Sequence, residues 1–218
     1  MMKILMLGNS YTYFADMPQL LQGLIDANGA DATVESVTAG GRRLMQNIDE
    51  NDALHKVVAD KCRETAYDVL ILQEQSYTPA YCYRDFLQGA VGCVELVKPA
   101  RTVFYATWGR KQGSDLLQEF GWTSEGMSAA LAAAYDAAAR KVGGTCAHVG
   151  KCFAALGASH PEIELYDPDL SHPSYTGSAL AAIALYKKVF GTLPQQLGTL
   201  NLDSAVAAAL LRTVDEII

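Results

Sequence analysis

Near its beginning the chain reads KILMLGNSYT over residues 3–12. The apolar run has the length of one buried strand, and the glycine and polar residues after it mark a turn. Four more short apolar runs follow, and longer helical patterns separate them. The predicted strands are Lys3–Gly8, Thr33–Val37, Asp68–Leu72, Arg101–Ala106 and Thr145–Val149. This alternation indicates βαβ units, so we predict an α/β fold with three layers, α/β/α, around a five-stranded parallel sheet.

The helical patterns and the chain length set the domain organisation. Helices are predicted at Met17–Ala27, Asp52–Thr65, Phe86–Val97, Ser124–Val142, Tyr175–Phe190 and Asp203–Ile217. The chain has 218 residues and shows no linker, repeat or low-complexity segment. Because this length suits one α/β domain and leaves little room for two, we predict a single domain over residues 1–218.

Composition and charge narrow the classes of partner. Half of the residues are hydrophobic and 19% are charged, which provides for a large core, and the formal net charge is −7. An acidic chain is a poor match for nucleic acid or for an anionic membrane surface, so neither is expected as a partner. The composition leaves the oligomeric state open.

The cysteines and the N-terminus bear on location. Five cysteines are an odd number for a complete set of disulfides, and no two stand in CxxC spacing. They indicate free buried thiols in a reducing compartment rather than a zinc site. The first apolar stretch is too short for a signal peptide, and no run approaches the length of a membrane span. We therefore expect a cytoplasmic protein, although a leader removed earlier would leave the same sequence.

Ligands of an open parallel sheet bind beyond the carboxyl ends of its strands. Four short polar segments follow the first four predicted strands, at residues 8–12, 39–43, 73–76 and 107–109. The first of them contains Ser10. A serine hydroxyl is a weak nucleophile until a nearby base takes its proton, so this hypothesis requires a histidine.

His172 is the best candidate for that base. It lies in a polar loop with two prolines, and Asp169 stands three residues before it. A carboxylate at this spacing can fold onto the imidazole and orient it. The other histidines, which are His55, His148 and His160, lack such a partner at short range.

A structural role is the alternative for each of these residues. Ser10 could cap a helix or close a turn, and Asp169 or Ser171 could cap the helix that begins near Pro173. Each residue alone is weak support for catalysis. Their occurrence together, at the two ends of one predicted α/β unit, favours a catalytic site.

Two blocks of the chain resemble those of the SGNH (GDSL-like) hydrolases. Residues 8–12, GNSYT, resemble the first block, usually Gly-Asp-Ser, with Asn9 in place of the aspartate. Residues 169–173, DLSHP, resemble the last block, Asp-x-x-His-Pro. The family's second block is a glycine after the second strand, which Gly40 or Gly41 can supply, and the register favours Gly41.

The third block departs from the family pattern. Most members have Gly-x-Asn-Asp after the third strand, where the asparagine side chain donates to the oxyanion, but here residues 73–76 read QEQS. Position favours Gln75 as the substitute donor, with Gln73 as the runner-up, because a carboxamide one methylene longer offers the same N–H groups. Glu74 is interpreted as structural.

The resemblance implies a flavodoxin-like SGNH hydrolase fold and a serine esterase. It assigns Ser10, His172 and Asp169 to a catalytic triad, and it forms the oxyanion hole from the backbone N–H groups of Ser10 and Gly41 with the Gln75 side chain. No metal or cofactor is implied. The expected substrate is a small-molecule ester of a short acyl group, acetyl above all, with an acylated carbohydrate as the favoured candidate. Aromatic residues near the expected rim could stack on a sugar or form the edge of the core: Tyr11, Tyr13, Phe14, Tyr77, Tyr81, Tyr83 and Trp108.

The alternative from another class is a non-catalytic, flavodoxin-like protein that binds a small ligand. Arg42 and Arg43 would then contact a phosphate or carboxylate of the ligand, although two exposed arginines are commonly just solvated. No GxGxxG or Walker motif is present, which disfavours nucleotides, and no GxSxG elbow is present, which disfavours an α/β-hydrolase.

Overall fold

The computed structural model describes residues 1–218 and contains one five-stranded sheet. The strands are β1 (Met2–Gly8), β2 (Ala32–Thr38), β3 (Val69–Leu72), β4 (Arg101–Tyr105) and β5 (Thr145–Ala147). Their spatial order is β2-β1-β3-β4-β5, and every neighbouring pair is parallel. The predicted α/β fold with five parallel strands is therefore confirmed.

Helices connect the strands. The longer ones are α2 (Met17–Ala27), α3 (Ala53–Glu64), α5 (Tyr83–Val97), α7 (Ser124–Val142), α8 (Val149–Ser159), α9 (Tyr175–Phe190) and α10 (Ser204–Ile217). The short ones are α1 (Ser10–Tyr13), α4 (Thr78–Tyr81) and α6 (Asp115–Phe120), with 3-10 turns at Phe14–Asp16 and Leu44–Ile48. All six predicted helices are present with bounds shifted by at most three residues. None of the ten helices combines the length and the apolar character needed to span a membrane.

The sequence analysis missed α8 and ran the fifth strand two residues too far, to Val149 instead of Ala147. Gly150 explains the error, because glycine lowers helix propensity and weakened the pattern. In the structure the Gly150 amide donates to the Ala106 carbonyl over 3.0 Å, and a Cβ there would lie 2.1 Å from the Thr107 oxygen. This glycine is required where the start of α8 passes close to the end of β4.

Alternate residues of β1 face two separate hydrophobic cores. Ile4 and Met6 pack with residues of α2, α8, α9 and α10, whereas Leu5 and Leu7 pack with residues of α3, α5 and α7. Both faces of the central strand are thus covered by helices, which gives the three-layer arrangement typical of parallel sheets.

The strand order places a crevice beside β1. The chain leaves β1 for β2 on one side and later enters β3 on the other, so the connections diverge between β1 and β3. Ligand sites of open α/β sheets lie at such a switch point, beyond the carboxyl ends of the strands. Ser10 follows β1 and residues 73–76 follow β3, so both segments border this crevice.

Candidate active site

Ser10 is the first residue of α1, two residues after the end of β1. The preceding Asn9 caps this helix, because its Oδ1 accepts a hydrogen bond of 3.1 Å from the Tyr11 amide. Gly8 must be a glycine here: a Cβ would stand 2.3 Å from Thr12 Oγ1 and 2.7 Å from Gln73 Oε1. The sharp turn from strand to helix therefore holds the Ser10 side chain at the carboxyl edge of the sheet.

Asn9 also joins this turn to two other loops. Its backbone N–H donates to Gln73 Oε1 over 2.8 Å, and its side-chain Nδ2 donates to the Arg42 carbonyl over 2.9 Å. The residue is 2% exposed, so these bonds form away from solvent. Asn9 thereby fixes the Ser10 turn relative to the loop that contains Gly41.

His172 and Asp169 lie against Ser10 in the order that general base catalysis needs. His172 Nε2 is 2.8 Å from Ser10 Oγ, and His172 Nδ1 is hydrogen-bonded to Asp169 Oδ2. The other carboxylate oxygen, Oδ1, accepts from the amides of Ser171 at 3.0 Å and His172 at 2.9 Å. The structure thus brings the three residues predicted as a triad into one hydrogen-bonded chain.

The Asp169 carboxylate is held in its charged form. Burial raises its pKa, but the hydrogen bonds from the His172 ring and from the amides of His172 and Ser171 outweigh burial and leave the pKa below its ordinary value. An ionised Asp169 at neutral pH keeps the proton on His172 Nδ1 and leaves Nε2 free to accept one from Ser10.

Aromatic rings hold the imidazole in place. Phe14 stacks on the His172 ring with centroids 4.1 Å apart, and Tyr11 meets its edge at 5.4 Å. Trp108 Nε1 donates to the Ser171 carbonyl over 3.0 Å, and the Tyr11 hydroxyl is 2.7 Å from Ser171 Oγ. Of the aromatics expected at the rim, Tyr11 and Trp108 are therefore buried supports of the His172 loop.

Two of the other three histidines have carboxylate contacts of their own. The expectation that none has a short-range partner is wrong for His160, whose Nδ1 lies 3.0 Å from Glu162, two residues on. His148 Nε2 lies 3.0 Å from Asp136, and the ligand atoms of these two residues and Cys146 come within 4.8 Å of one another. These three side chains could share a metal ion, but none of them lines the Ser10 pocket.

A small pocket of about 190 Å³ opens in front of Ser10. It is lined by Asn9, Ser10, Tyr11, Gly41, Gln75, Ser76, Arg110, Ser171 and His172. Sequence reasoning missed Arg110, although this residue directly follows the segment 107–109 that was singled out at the end of the fourth strand. The position of Arg110 directly after a predicted strand indicated a place at the site. No family motif includes a residue next to Arg110, so the sequence alone did not single it out.

Gly41 is the glycine of the second loop that lines the pocket, and Gly40 is not part of the lining. Gly41 has a φ of +65°, which favours glycine, because a side chain there would be strained. A Cβ built at Gly41 would meet no atom within 4 Å, so the backbone conformation and not crowding selects the residue.

Gln75 lines the pocket, and the oxygen of its carboxamide already accepts three hydrogen bonds. Its Oε1 accepts from Thr78 Oγ1 at 3.0 Å and from the amides of Tyr77 and Thr78 at 3.2 and 3.3 Å. Its Nε2 has a single long contact of 3.3 Å, to Ser76 Oγ. These bonds define which end of the amide is which, and they leave most of the donor capacity of Nε2 unused.

Gln73, the runner-up donor, faces elsewhere. It is 1% exposed, and its Oε1 accepts from the Asn9 amide and from Thr12 Oγ1, each at 2.8 Å. Its Nε2 is bonded to the Glu74 carbonyl. The carboxamide is therefore consumed beneath the Ser10 turn and does not reach the pocket.

Glu74 lies between the second and third loops. It is fully buried, and its carboxyl accepts from the Leu44 amide at 3.2 Å and the Gln75 amide at 2.6 Å. Burial raises its pKa to about 7, against the lowering effect of these two backbone bonds. Glu74 therefore has a structural position, as predicted from the sequence. Its carboxyl links the loop after β3 to the chain segment that follows Gly41.

Arg42 is not a solvated arginine. It is 5% exposed, its Nε donates to Asn47 Oδ1 at 2.8 Å, and its terminal nitrogens donate to the Asp52 carboxylate at 2.9 and 3.1 Å. The guanidinium is thus neutralised inside the protein. Arg43 is exposed, as expected. The anion contact that the binding-protein alternative placed on Arg42 is therefore absent.

Comparison with known proteins identifies the family. A solved structure from Slackia heliotrinireducens assigned to the SGNH hydrolases is 32% identical, with a TM-score of 0.77, over 86% of this chain and 98% of that one. A DUF4886 family protein from Bacteroides uniformis is 14% identical with a TM-score of 0.84, over 99% of this chain and 93% of that one. A carbohydrate acetylesterase family member from Sinorhizobium meliloti is 17% identical with a TM-score of 0.59, over 87% of this chain and 97% of that one.

The last two similarities are of fold alone, whereas the first is also one of sequence. No family model and no curated protein matches the chain. The chain belongs to the SGNH (GDSL-like) hydrolases.

Proposed function

We propose that this protein is a serine esterase that removes a small acyl group, acetyl in the first place, with Ser10 as nucleophile. The observation that carries the proposal is the 2.8 Å contact between His172 Nε2 and Ser10 Oγ, with Asp169 on the opposite nitrogen of the ring. This arrangement supplies what a serine hydroxyl lacks on its own, a base that takes its proton.

Acylation follows from that contact. Ser10 Oγ attacks the ester carbonyl carbon while its proton passes to His172 Nε2, and the carbonyl oxygen becomes an oxyanion. The ionised Asp169 stabilises the imidazolium that forms. When the intermediate collapses, the bond to the alcohol oxygen breaks, His172 returns the proton to that oxygen, and the acyl group stays on Ser10.

Deacylation repeats the sequence with water. His172 takes a proton from the attacking water, whose oxygen bonds to the acyl carbon. The bond to Ser10 Oγ then breaks, the proton returns to Ser10, and the carboxylic acid leaves. Each step uses the same base, so loss of His172 stops both halves of the reaction.

The oxyanion needs donors on the opposite side of the acyl carbon from the base. We assign the backbone N–H groups of Ser10 and Gly41 and the Nε2 of Gln75 to this role. The presence of Gly41 and Gln75 in the pocket lining and the single weak contact of Gln75 Nε2 support the assignment. Loss of one donor of this kind typically slows the reaction about 10²- to 10³-fold.

The pocket supports a short acyl group. Its volume of about 190 Å³ is small, and only one of the nine lining residues, Tyr11, is hydrophobic, so a long alkyl chain would find little apolar surface. Tyr13 is 39% exposed and its hydroxyl lies beside Gly40, where it can stack on a sugar that presents an acetyl ester to Ser10. An acetylated carbohydrate is therefore the favoured substrate.

Turnover of 4-nitrophenyl acetate, butyrate and octanoate by the purified protein tests the proposal. We expect kcat/KM to fall with chain length and all turnover to disappear in Ser10→Ala. A fluorophosphonate probe should label the parent protein and Ser159→Ala, a control at an exposed serine on α8, but not Ser10→Ala. Labelling that persists in Ser10→Ala would remove Ser10 from the mechanism.

A further inference from the structure

The Ser10 pocket contains a guanidinium that no protein carboxylate neutralises. Arg110 follows β4 and lines the pocket, yet it takes part in none of the ten ion pairs of the structure. Its one side-chain hydrogen bond is a long contact of 3.5 Å from a terminal nitrogen to Ser76 Oγ. Its Nε is buried with no partner. A buried donor without a partner costs free energy until a water molecule or a ligand bonds to it.

Two other cationic side chains of this protein are paired with carboxylates, as expected for a structural role. Arg42 is bound by Asp52 through both terminal nitrogens, and Lys111, the next residue after Arg110, pairs with Glu164. Arg110 has no equivalent. The carboxylate of the site, Asp169, is committed to His172 and does not line the pocket.

The surroundings of Arg110 are polar and uncharged. The pocket lining also includes Tyr11, Ser76 and Ser171, whose hydroxyls are polar and uncharged. The Tyr11 hydroxyl and Ser171 Oγ are hydrogen-bonded to each other at 2.7 Å. The protein as a whole carries a net charge of −7, so its long-range field does not attract anions. The positive charge of Arg110 therefore acts on a ligand only locally, inside this pocket.

We infer that Arg110 binds a carboxylate of the substrate, so that the preferred esters carry a negative charge close to the ester bond. The planar guanidinium presents paired N–H groups that match the two oxygens of a carboxylate. The inference rests on the proposed esterase function and adds a class of substrate to it. The carboxylate can belong to the alcohol, as in an acetylated sugar acid, or to the acyl group, as in the half-ester of a dicarboxylic acid.

Two matched pairs of esters separate these sources. For the alcohol side we would compare 3-acetoxybenzoate with phenyl acetate, and for the acyl side 4-nitrophenyl hydrogen glutarate with 4-nitrophenyl pentanoate, each corrected for the rate without enzyme. We expect kcat/KM to favour the anionic member of one pair by roughly 10- to 100-fold, the range of a charge-assisted hydrogen bond. The pair that shows the preference identifies the side.

Variants of Arg110 connect the preference to this residue. In Arg110→Gln the ratio of anionic to neutral turnover should fall to about one, and in Arg110→Lys it should be intermediate, since lysine keeps the charge but loses the paired donors. Arg212→Gln is the control, because Arg212 is exposed on α10 and makes no side-chain hydrogen bond or ion pair. It should retain the parent ratio.

A binding measurement covers the case in which a variant is inactive. Thermal shift of the parent protein with 3-hydroxybenzoate and with its neutral amide should show stabilisation by the carboxylate only, lost in Arg110→Gln. Equal turnover of both members in both pairs, or a preference for the anionic ester that survives in Arg110→Gln, overturns the inference. Either result leaves the proposed esterase function unaffected. Absence of turnover for all four esters, with no probe labelling of Ser10, refutes the esterase instead.

Discussion

The side chain of Asn9 donates a hydrogen bond of 2.9 Å to the carbonyl oxygen of Arg42. This bond ties the turn that contains Ser10 to the loop that contains Gly41. An aspartate, the usual residue of the family at this position, has no N–H group for that carbonyl when it is ionised. The departure from Gly-Asp-Ser thus has a structural consequence in this chain: the carboxamide both caps α1 and holds the second loop.

Asn9→Asp should therefore impair the protein. The carboxylate would lose the bond to Arg42 and place its charge against a carbonyl oxygen in a buried position, which costs about 1–3 kcal/mol of stability. We expect a lower urea midpoint and a lower kcat on 4-nitrophenyl acetate, because the Ser10 turn is no longer fixed to the Gly41 loop. Asn201→Asp, at an exposed position, is the control for the added charge. Parent-like stability and kcat in Asn9→Asp would contradict this role.

The two partners of Ser10 should differ in importance. His172→Ala removes the proton acceptor and should abolish turnover, with the fold retained, because the residue lies in a surface loop. Asp169→Asn keeps the ring in place through a hydrogen bond but cannot stabilise the imidazolium, so it should retain more activity than His172→Ala. Steady-state rates and circular dichroism of both variants provide the check. Equal loss in the two would contradict this ranking and mean that His172 cannot act as a base without the Asp169 charge.

Glu74 should make stability depend on pH near neutrality. Its pKa is about 7 in the folded protein and 4.5 as an ordinary value. Between these values the folded state binds more protons than the unfolded state, so stability should fall as pH rises, with a slope approaching about 1.4 kcal/mol per pH unit. The carboxyl contributes its full stabilisation below pH 4.5 and loses it as pH rises through about 7.

Urea unfolding at pH 5, 6, 7 and 8 measures this dependence. The difference in unfolding free energy between the parent and Glu74→Gln should change across the series, because glutamine does not titrate. Glu35→Gln is the control: Lys61 lowers the pKa of Glu35, which therefore stays ionised above pH 5 and should shift stability equally at each pH. A pH-independent difference for Glu74→Gln would show that Glu74 does not titrate in this range.

The parts of the fold and site that sequence could predict are those set by short-range patterns. The strand that ends at Gly8 and the Asp169–His172 spacing are local, so both the position of Ser10 after β1 and the contact between Asp169 and His172 followed from neighbours in the chain. Helices with strong patterns, such as α7, were found with their observed bounds. Each of these features depends on residues a few positions apart.

The parts that could not be predicted depend on contacts between distant segments. Whether an arginine is free or paired is decided by its partner: Asp52 reaches Arg42, while no carboxylate reaches Arg110. The directions of the Gln73 and Gln75 side chains also depend on contacts with distant segments. The Gln73 amide donates to the Leu7 carbonyl, which continues the β3 to β1 ladder and directs the side chain beneath the Ser10 turn. The sequence QEQS at residues 73–76 does not indicate that the hydrogen-bond ladder extends one residue past β3.

The two glutamines give the sharpest test of the oxyanion assignment. Gln75→Ala should lower kcat about 10²-fold with little change in KM, since the donated bond strengthens only as the oxyanion forms. Gln73→Ala removes the acceptor of the Asn9 amide and of Thr12, so it should chiefly lower the unfolding free energy, by about 1–3 kcal/mol. Steady-state kinetics and urea unfolding of both variants separate the effects, and each variant is the control for the other. Reversal of the pattern, with kcat reduced by Gln73→Ala alone, would remove Gln75 from the oxyanion hole and show that the bonds of Gln73 beneath the turn control the position of Ser10. If neither variant changes kcat, the oxyanion is held by the backbone N–H groups of Ser10 and Gly41.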